Sequence, residues 1–158
     1  MSKIIIVGPG GSGKDVLKNR FIERGFNFGK PNTTRPMRIN ESDKDYNFLS
    51  QEEWDYAMEL GTMIVHQTFG NDTSYGYNRL VFDTHNLFVM NPYFINQLSE
   101  KERKKCFIIY INPPEYIILQ RLHDRNMKED DSIRRFRADQ HDFKNFTNYD
   151  IQIKNPYF

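Results

Sequence analysis

Lys3-Ile4-Ile5-Ile6-Val7-Gly8-Pro9-Gly10-Gly11-Ser12-Gly13-Lys14-Asp15 begins as a short apolar, largely β-branched run and passes directly into a glycine-rich turn. Gly8, four intervening residues and then Gly13-Lys14 give the spacing of a phosphate-binding loop, set between strand and helix as that motif requires. Glycine is needed there because backbone N–H groups must wrap an anion without Cβ atoms in the way. The helix that follows, expected over about Lys14–Arg24, points its positive dipole end at the same anion. Lys14 adds a point charge that reaches the terminal phosphates of a nucleotide. Gly8, Pro9, Gly10, Gly11, Ser12, Gly13, Lys14 and Asp15 are therefore assigned to nucleotide binding. An ordinary glycine-rich turn is the bland alternative, disfavoured by the strand before it and the helix after. The eighth position of the motif normally carries a Ser or Thr hydroxyl that touches Mg²⁺. Asp15 stands there instead, and a carboxylate also holds Mg²⁺, directly or through water.

Bulk properties narrow the class. A chain of 158 residues is most simply one domain with a sizeable core. Lys+Arg of 22 against Asp+Glu of 21 lacks the basic footprint of a protein that grips polymeric nucleic acid. Cys106 has no cysteine partner, so disulfides are excluded, and a buried thiol in a reducing compartment fits. No apolar stretch approaches ~20 residues, and the N-terminus lacks the form of a signal peptide. The sequence reads as soluble and cytoplasmic, without membrane contact.

Strand and helix signals alternate along the rest of the chain, which argues for an α/β sheet with crossover helices. Phe26–Phe28 is expected as a short strand, and residues 29–49 as a polar, turn-rich excursion carrying Arg35, Arg38, Glu41 and Tyr46. Ser50-Gln51-Glu52-Glu53 has the form of a capping box, opening a helix that ends near Gly61. Thr62–Phe69 reads as a strand, and Tyr77–Phe82 and Asn86–Met90 as short strands about a turn near Asp83. Asn91-Pro92 opens a helix to about Glu100. Lys105–Ile111 is the continuous apolar run of a buried parallel strand. Helices are expected from Pro114-Glu115 to about Arg125 and over Asp131–Lys144, with a last strand at Tyr149–Lys154.

Thr33-Thr34-Arg35-Pro36-Met37-Arg38, then Glu41, then Asp45-Tyr46-Asn47-Phe48 make the pattern specific. This segment resembles the nucleoside-monophosphate (NMP) binding region of the guanylate kinase family. Tyr75-Gly76 resembles the family's Tyr-Gly. Arg121-Leu122 with Arg125, then Asp131-Ser132-Ile133 with Arg135, resembles its lid, and Tyr149-Asp150 its C-terminal end. The resemblance implies a P-loop kinase three-layer α/β fold: a core of residues 1–30 and 78–158, an NMP-binding insertion at about 31–77 and a short lid at about 125–135. It implies transfer of the ATP γ-phosphate to a (deoxy)nucleoside monophosphate with Mg²⁺, GMP or dGMP first. Arg35, Arg38, Tyr46 and Tyr75 would hold the acceptor phosphate. Lys14, Arg35, Arg125 and Arg135 would be catalytic, the last two swinging onto the transferring phosphate. Two arginines three positions apart also suit a phosphate dianion on physical grounds, through forked, charge-assisted hydrogen bonds. Their bland reading, and that of Glu41, is a solvated, salt-bridged loop; Arg134, Arg137, Asp139 and Asp142 read as a charged helix face.

The departures from the family concern the base. Ungapped counting puts His66 where a guanine-reading Glu is expected, Pro31 at a hydroxyl position and Tyr77 after Tyr-Gly; Gln67, Thr68 and Asp72 are nearby polar substitutes. Val89 and Asn91 stand where an acidic pair is expected, which leaves Asp15 the candidate metal ligand. Loss of hydrogen-bond partners at a base site changes discrimination by orders of magnitude. A broad deoxynucleoside monophosphate kinase, or a sugar-phosphate kinase of the same fold, therefore stays open beside the GMP reading. A non-catalytic protein-binding module is disfavoured by the retained Gly13-Lys14. Monomer and homodimer both stay open.

Overall fold

Continuous apolar runs, able to be buried on both faces, explain the sheet that carries the phosphate loop. Strand β1 (Lys3–Val7) lies inside a four-stranded sheet with α1 (Lys14–Glu23) following the loop. The computed structural model describes residues 2–125 and 129–158, with 129–132 as backbone alone. Strands β2 (Asn32–Thr33) and β3 (Asn47–Phe48), helix α2 (Gln51–Glu59), and strands β4 (Met63–Thr68) and β5 (Ser74–Asn78) come next. They are followed by α3 (Arg79–Thr84), β6 (Leu87–Val89), α4 (Pro92–Gln97), α5 (Glu100–Lys104) and β7 (Cys106–Ile111). Helices α6 (Glu115–Asp124) and α7 (Glu129–Phe143) and strand β8 (Ile151–Ile153) complete the order.

The main sheet runs β6-β1-β7-β8, and every pairing in it is parallel. Parallel strands need crossover helices, which cover both faces and account for the apolar β1 and β7. On one face Ile5, Val7, Ile108 and Tyr110 pack with Tyr77, Phe82, Phe88, Phe94 and Ile95. On the other, Ile6, Leu87, Ile109 and Ile111 pack against Leu17 and Phe21 of α1, and against Phe26, Phe28 and Phe158. Each such fully buried side chain contributes about 1.5–3 kcal/mol. Helices thus flank a central parallel sheet, the P-loop α/β arrangement.

A second, mixed sheet runs β3-β2-β5-β4, with β5 antiparallel to both β2 and β4. It is built from the segment that carries Arg35, Tyr46 and Tyr75. Helix α2 closes one of its faces through Trp54. A Cβ on Gly76 would lie 2.6 Å from Val65 O and 3.0 Å from the Trp54 ring. The capping box at Ser50 and Glu53 forms both of its bonds.

Three expectations are corrected. Residues 79–84 are helical, because the Asn78 side chain accepts from Leu80 N–H at 2.8 Å and caps the turn, so the strand expected over Tyr77–Phe82 ends at Asn78. The helix opened by Asn91-Pro92 stops at Gln97, where Leu98 turns extended and Ser99 caps α5. Phe26–Phe28 contributes one isolated bridge, Phe28 to Leu87, and no strand. Cys106 is buried and unpaired in α5–β7 packing, and burial pushes its thiol up to about 11. No helix among the described residues is long and apolar enough to cross a membrane.

Candidate active site

The phosphate loop turns from β1 into α1 through left-handed backbone at Gly11 (φ 79°) and Gly13 (φ 101°), which favours glycine at both positions. Gly8 has no room for a side chain: a Cβ there would sit 2.7 Å from Ile111 O and from Ser12 Oγ. Ser12 Oγ is buried and has no hydrogen-bond partner among the described residues. A buried hydroxyl of this kind calls for a partner atom, and a phosphate oxygen held in the loop would supply one. Lys14 Nζ donates to Gly8 O at 2.5 Å, folded back over the turn. Burial first, then the Arg135 charge and more weakly Arg125, pull its ammonium down to about 8, against opposing Asp139 and Asp15.

Helix α7 lies on this loop. Gly10 N–H donates to Asp139 Oδ2 at 2.9 Å, and Arg135 Nε lies 3.4 Å from the same oxygen. The Arg135 guanidinium stacks on the Gly10 backbone, 3.1–3.3 Å from where a Cβ would stand. Arg121 of α6 ties the far side, donating to Gly11 O at 3.1 Å and Pro156 O at 2.6 Å. Arg125 is the C-cap of α6. Of the expected lid, residues 126–128 and the side chains of 129–132, including Asp131 and Ser132, lie outside the described residues. A cavity of about 410 Å³ opens beside the loop between Pro9, Asn112, Glu115, Asp139 and Phe143.

Beside the loop, the second sheet presents the arginine segment. Thr33 Oγ1 donates to Ser74 O at 3.0 Å, Thr34 Oγ1 accepts from Ser74 N–H at 2.9 Å, and together they clamp β2 to β5. Arg35 then emerges with its fork on Glu41, at 3.0 and 2.9 Å, and its guanidinium over the rings of Tyr46 and Phe48. That pairing raises Arg35 above its ordinary range and lowers Glu41 to about 2. Glu41 also accepts from the Arg38 backbone N–H at 2.9 Å, while the Arg38 residue is exposed. Tyr46 and Tyr75 meet edge to face at 6.1 Å, and burial raises the Tyr46 phenol.

Lys18 joins the two regions. Its ammonium, 5% exposed, lies 2.8 Å from Asp45 and 3.5 Å from Asp15, over the Phe28 ring. Lys18 so connects the residue after Lys14 to the residue before Tyr46. Asp15 itself is 80% exposed, and no three His, Cys, Asp or Glu side chains cluster among the described residues. A divalent cation held by one carboxylate fits Mg²⁺, which keeps several waters and takes its other oxygens from substrate phosphates.

His66 stands apart from this site. Its register partner is Gly76, whereas Gln67 pairs with Tyr75. Strand alternation therefore puts His66 on the face opposite Tyr75, with its backbone bonded to Gln97 in both directions. Gln67 faces the site instead and accepts from Asn91 Nδ2 at 2.9 Å. Asp139 and Lys18 are the residues that sequence reasoning left without a role in the site, whereas Gln67 was one of three polar substitutes named beside His66. Asp139, four positions after Arg135, carried the one legible signal, an i,i+4 pair.

The family model for guanylate kinase matches residues 1–158. A leucine-rich repeat and guanylate kinase domain-containing protein of Mus musculus is 38% identical over 80 residues, 48% of this chain and 10% of that protein. A guanylate kinase of Salinibacter ruber is 32% identical over 76 residues, 46% of this chain and 40% of that protein. The chain therefore matches well under half the length of each of these relatives. The crystal structure of guanylate kinase from Anaplasma phagocytophilum superposes with a TM-score of 0.70 at 22% identity, covering 98% of this chain and 76% of that one. A phosphate loop on a parallel sheet, an arginine-bearing second sheet and a family match along the whole chain have one reading: the protein belongs to the guanylate kinase family.

Proposed function

We propose that the protein transfers the γ-phosphate of ATP to a (deoxy)nucleoside 5′-monophosphate, GMP or dGMP being the first acceptors to test. The observation that carries this reading is the stacking of Arg135 on Gly10, beside a lysine that already sits in a loop built for an anion. Asp139 and Asp15 offset only part of the repulsion between Arg135 and Lys14, whose ammonium stays pulled down, and a polyanion between them would offset the rest. A phosphoryl group in transit supplies that polyanion, and catalysis of its transfer rests on positioning and charge neutralisation. Gly8 to Lys14 would cradle the donor phosphates. Arg35, oriented by Glu41, would meet the acceptor phosphate with Arg38, Tyr46 and Tyr75. Arg125 and Arg135 would neutralise charge on the equatorial oxygens. Asp15 would hold Mg²⁺, which shields the donor phosphates when bound. The acceptor phosphate oxygen is already anionic, so no protein group need remove a proton.

A panel of ribo- and deoxynucleoside monophosphates with ATP and Mg²⁺, read by ADP formation, tests the reading. Turnover of at least one acceptor, abolished in Lys14→Ala, is expected. Background rates across the panel overturn it. The retained arginine segment favours a nucleotide acceptor over a sugar phosphate.

A further inference from the structure

Gln67 and Asn91 form a pair whose orientation the backbone dictates. Asn91 Oδ1 accepts from Phe94 N–H at 2.8 Å as the N-cap of α4. A backbone N–H only donates, so that side of the Asn91 amide is its oxygen and the other side is Nδ2. Nδ2 in turn donates to Gln67 at 2.9 Å, which fixes Gln67 Oε1 on the Asn91 side. The usual ambiguity of amide oxygen and nitrogen is thereby removed along the chain of bonds. Gln67 Nε2, with two N–H donors, is the atom left to face outward. It stands on the face of β4 that carries Val65, level with Tyr75, whose ring contacts Tyr46 and Phe69.

We propose that Gln67 reads the acceptor base as a hydrogen-bond donor, taking a purine through its ring carbonyl or ring nitrogen and drawing nothing from a 2-amino group. This rests on the phosphoryl-transfer reading above and names the substrate class of its acceptor site. Guanine offers O6 and N7 as acceptors and its 2-amino group as a donor. A side chain that presents N–H groups meets the first two and leaves the third without a partner. Hypoxanthine has the same O6 and N7 and lacks the 2-amino group, so GMP and IMP, with their deoxy forms, become equivalent acceptors. A carboxylate at the same place would instead accept from the 2-amino group and separate the two. Asn91 acts as a positioning residue, because its amide decides which end of Gln67 faces the base.

Two variants reverse the polarity by different routes. Gln67→Glu replaces the donor with an acceptor. Asn91→Asp keeps the helix cap but turns the donor toward Gln67 into an acceptor, so Gln67 rotates and exposes Oε1. Binding of GMP and IMP by calorimetry, and kcat/KM with ATP and Mg²⁺, are measured on wild type and both variants, with melting curves to confirm folding. Wild type is expected to treat GMP and IMP within about threefold of each other. Each variant is expected to move the GMP-to-IMP ratio about tenfold toward GMP, the effect of roughly one hydrogen bond. A merely structural role for Asn91 would lower both acceptors together. A wild-type preference for GMP above about thirtyfold, or a ratio that neither folded variant moves, overturns the base assignment while leaving phosphoryl transfer standing. Failure of wild type to bind or turn over either monophosphate overturns the base assignment, and only background rates across the whole acceptor panel overturn phosphoryl transfer as well.

Discussion

Lys14→Met should make the nucleotide-free protein more stable at neutral pH while ending turnover. The Lys14 ammonium is pulled from 10.5 to about 8 by burial and by Arg135. Below pH 8 folded and unfolded chains both carry the proton, and the folded state bears the cost of the desolvated charge. Between pH 8 and 10.5 the folded chain sheds the proton and the unfolded chain keeps it, so stability rises with pH. Above 10.5 neither state carries it and the cost has gone. The interval from about 8 to 10.5 corresponds to about 3 kcal/mol. Methionine also loses the bond to Gly8 O, worth about 1 kcal/mol. The variant should therefore be more stable by about 2 kcal/mol at pH 7 and less stable by about 1 kcal/mol at pH 10.5.

Denaturant unfolding of both proteins at half-unit steps from pH 7 to 10.5 measures that swing. Subtracting the curves cancels every other titrating group. A second reading comes from the wild type alone. Donor phosphates that restore Lys14 to its ordinary range require the complex to take up about 0.9 proton at pH 9. Calorimetry of ATP binding in two buffers of different ionisation enthalpy detects it, and Lys14→Met removes it. Parallel stability curves, or binding without proton uptake, would refute the account of a desolvated lysine waiting for an anion.

Arg135→Ala is expected to lower kcat by about 10³ with acceptor KM changed less than about threefold, since its charge matters most as the phosphoryl group moves; steady-state kinetics separates the two. Glu41→Gln leaves Arg35 a weaker, neutral anchor and should raise acceptor KM about tenfold with kcat nearly unchanged, whereas a pure surface pair would leave KM alone. Asp45→Asn removes the negative charge 2.8 Å from a lysine only 5% exposed and leaves it Asp15 at 3.5 Å; it should cost about 1–2 kcal/mol, read as a fall of about 3–6 °C in Tm. Gly13→Ala forces a Cβ to φ 101° and to 3.1 Å from the Phe158 ring; a loss of about 2 kcal/mol and of ATP binding is expected by melting and titration.

Where sequence reading succeeded, one short stretch specified its own geometry. The glycine turn and α1 are local, and so is the capping box of α2, because the hydrogen bonds that make them lie within a few residues; β1 bonds to the distant β6 and β7 and was legible from its apolar run. The helix over 79–84 escaped because its apolar residues, Leu80, Val81 and Phe82, read as strand until the Asn78 cap is counted. Asp139 escaped for a different reason. Its partner, the Gly10 amide, is 129 positions away, and no periodicity connects a helix acid to a distant loop.

The base site is the sharpest case, because it turns on a single residue of register. Counting back from Tyr75 lands on His66, a plausible ring for reading a nucleobase. A β-hairpin, however, assigns faces by cross-strand pairing and not by distance along the chain, and a slip of one residue moves a side chain to the other face. The turn between β4 and β5, with Asp72 in left-handed backbone, sets Gln67 rather than His66 level with Tyr75. On the proposed base assignment, chain length in that loop decides which side chain the acceptor base would meet. It follows that shortening the loop by one residue should exchange the two faces and bring His66 to the site. A His66 imidazole that becomes sensitive to bound monophosphate by NMR in the shortened protein, and is insensitive in the parent, is the expected result. Equal response of His66 in both would mean that register does not govern what the base touches.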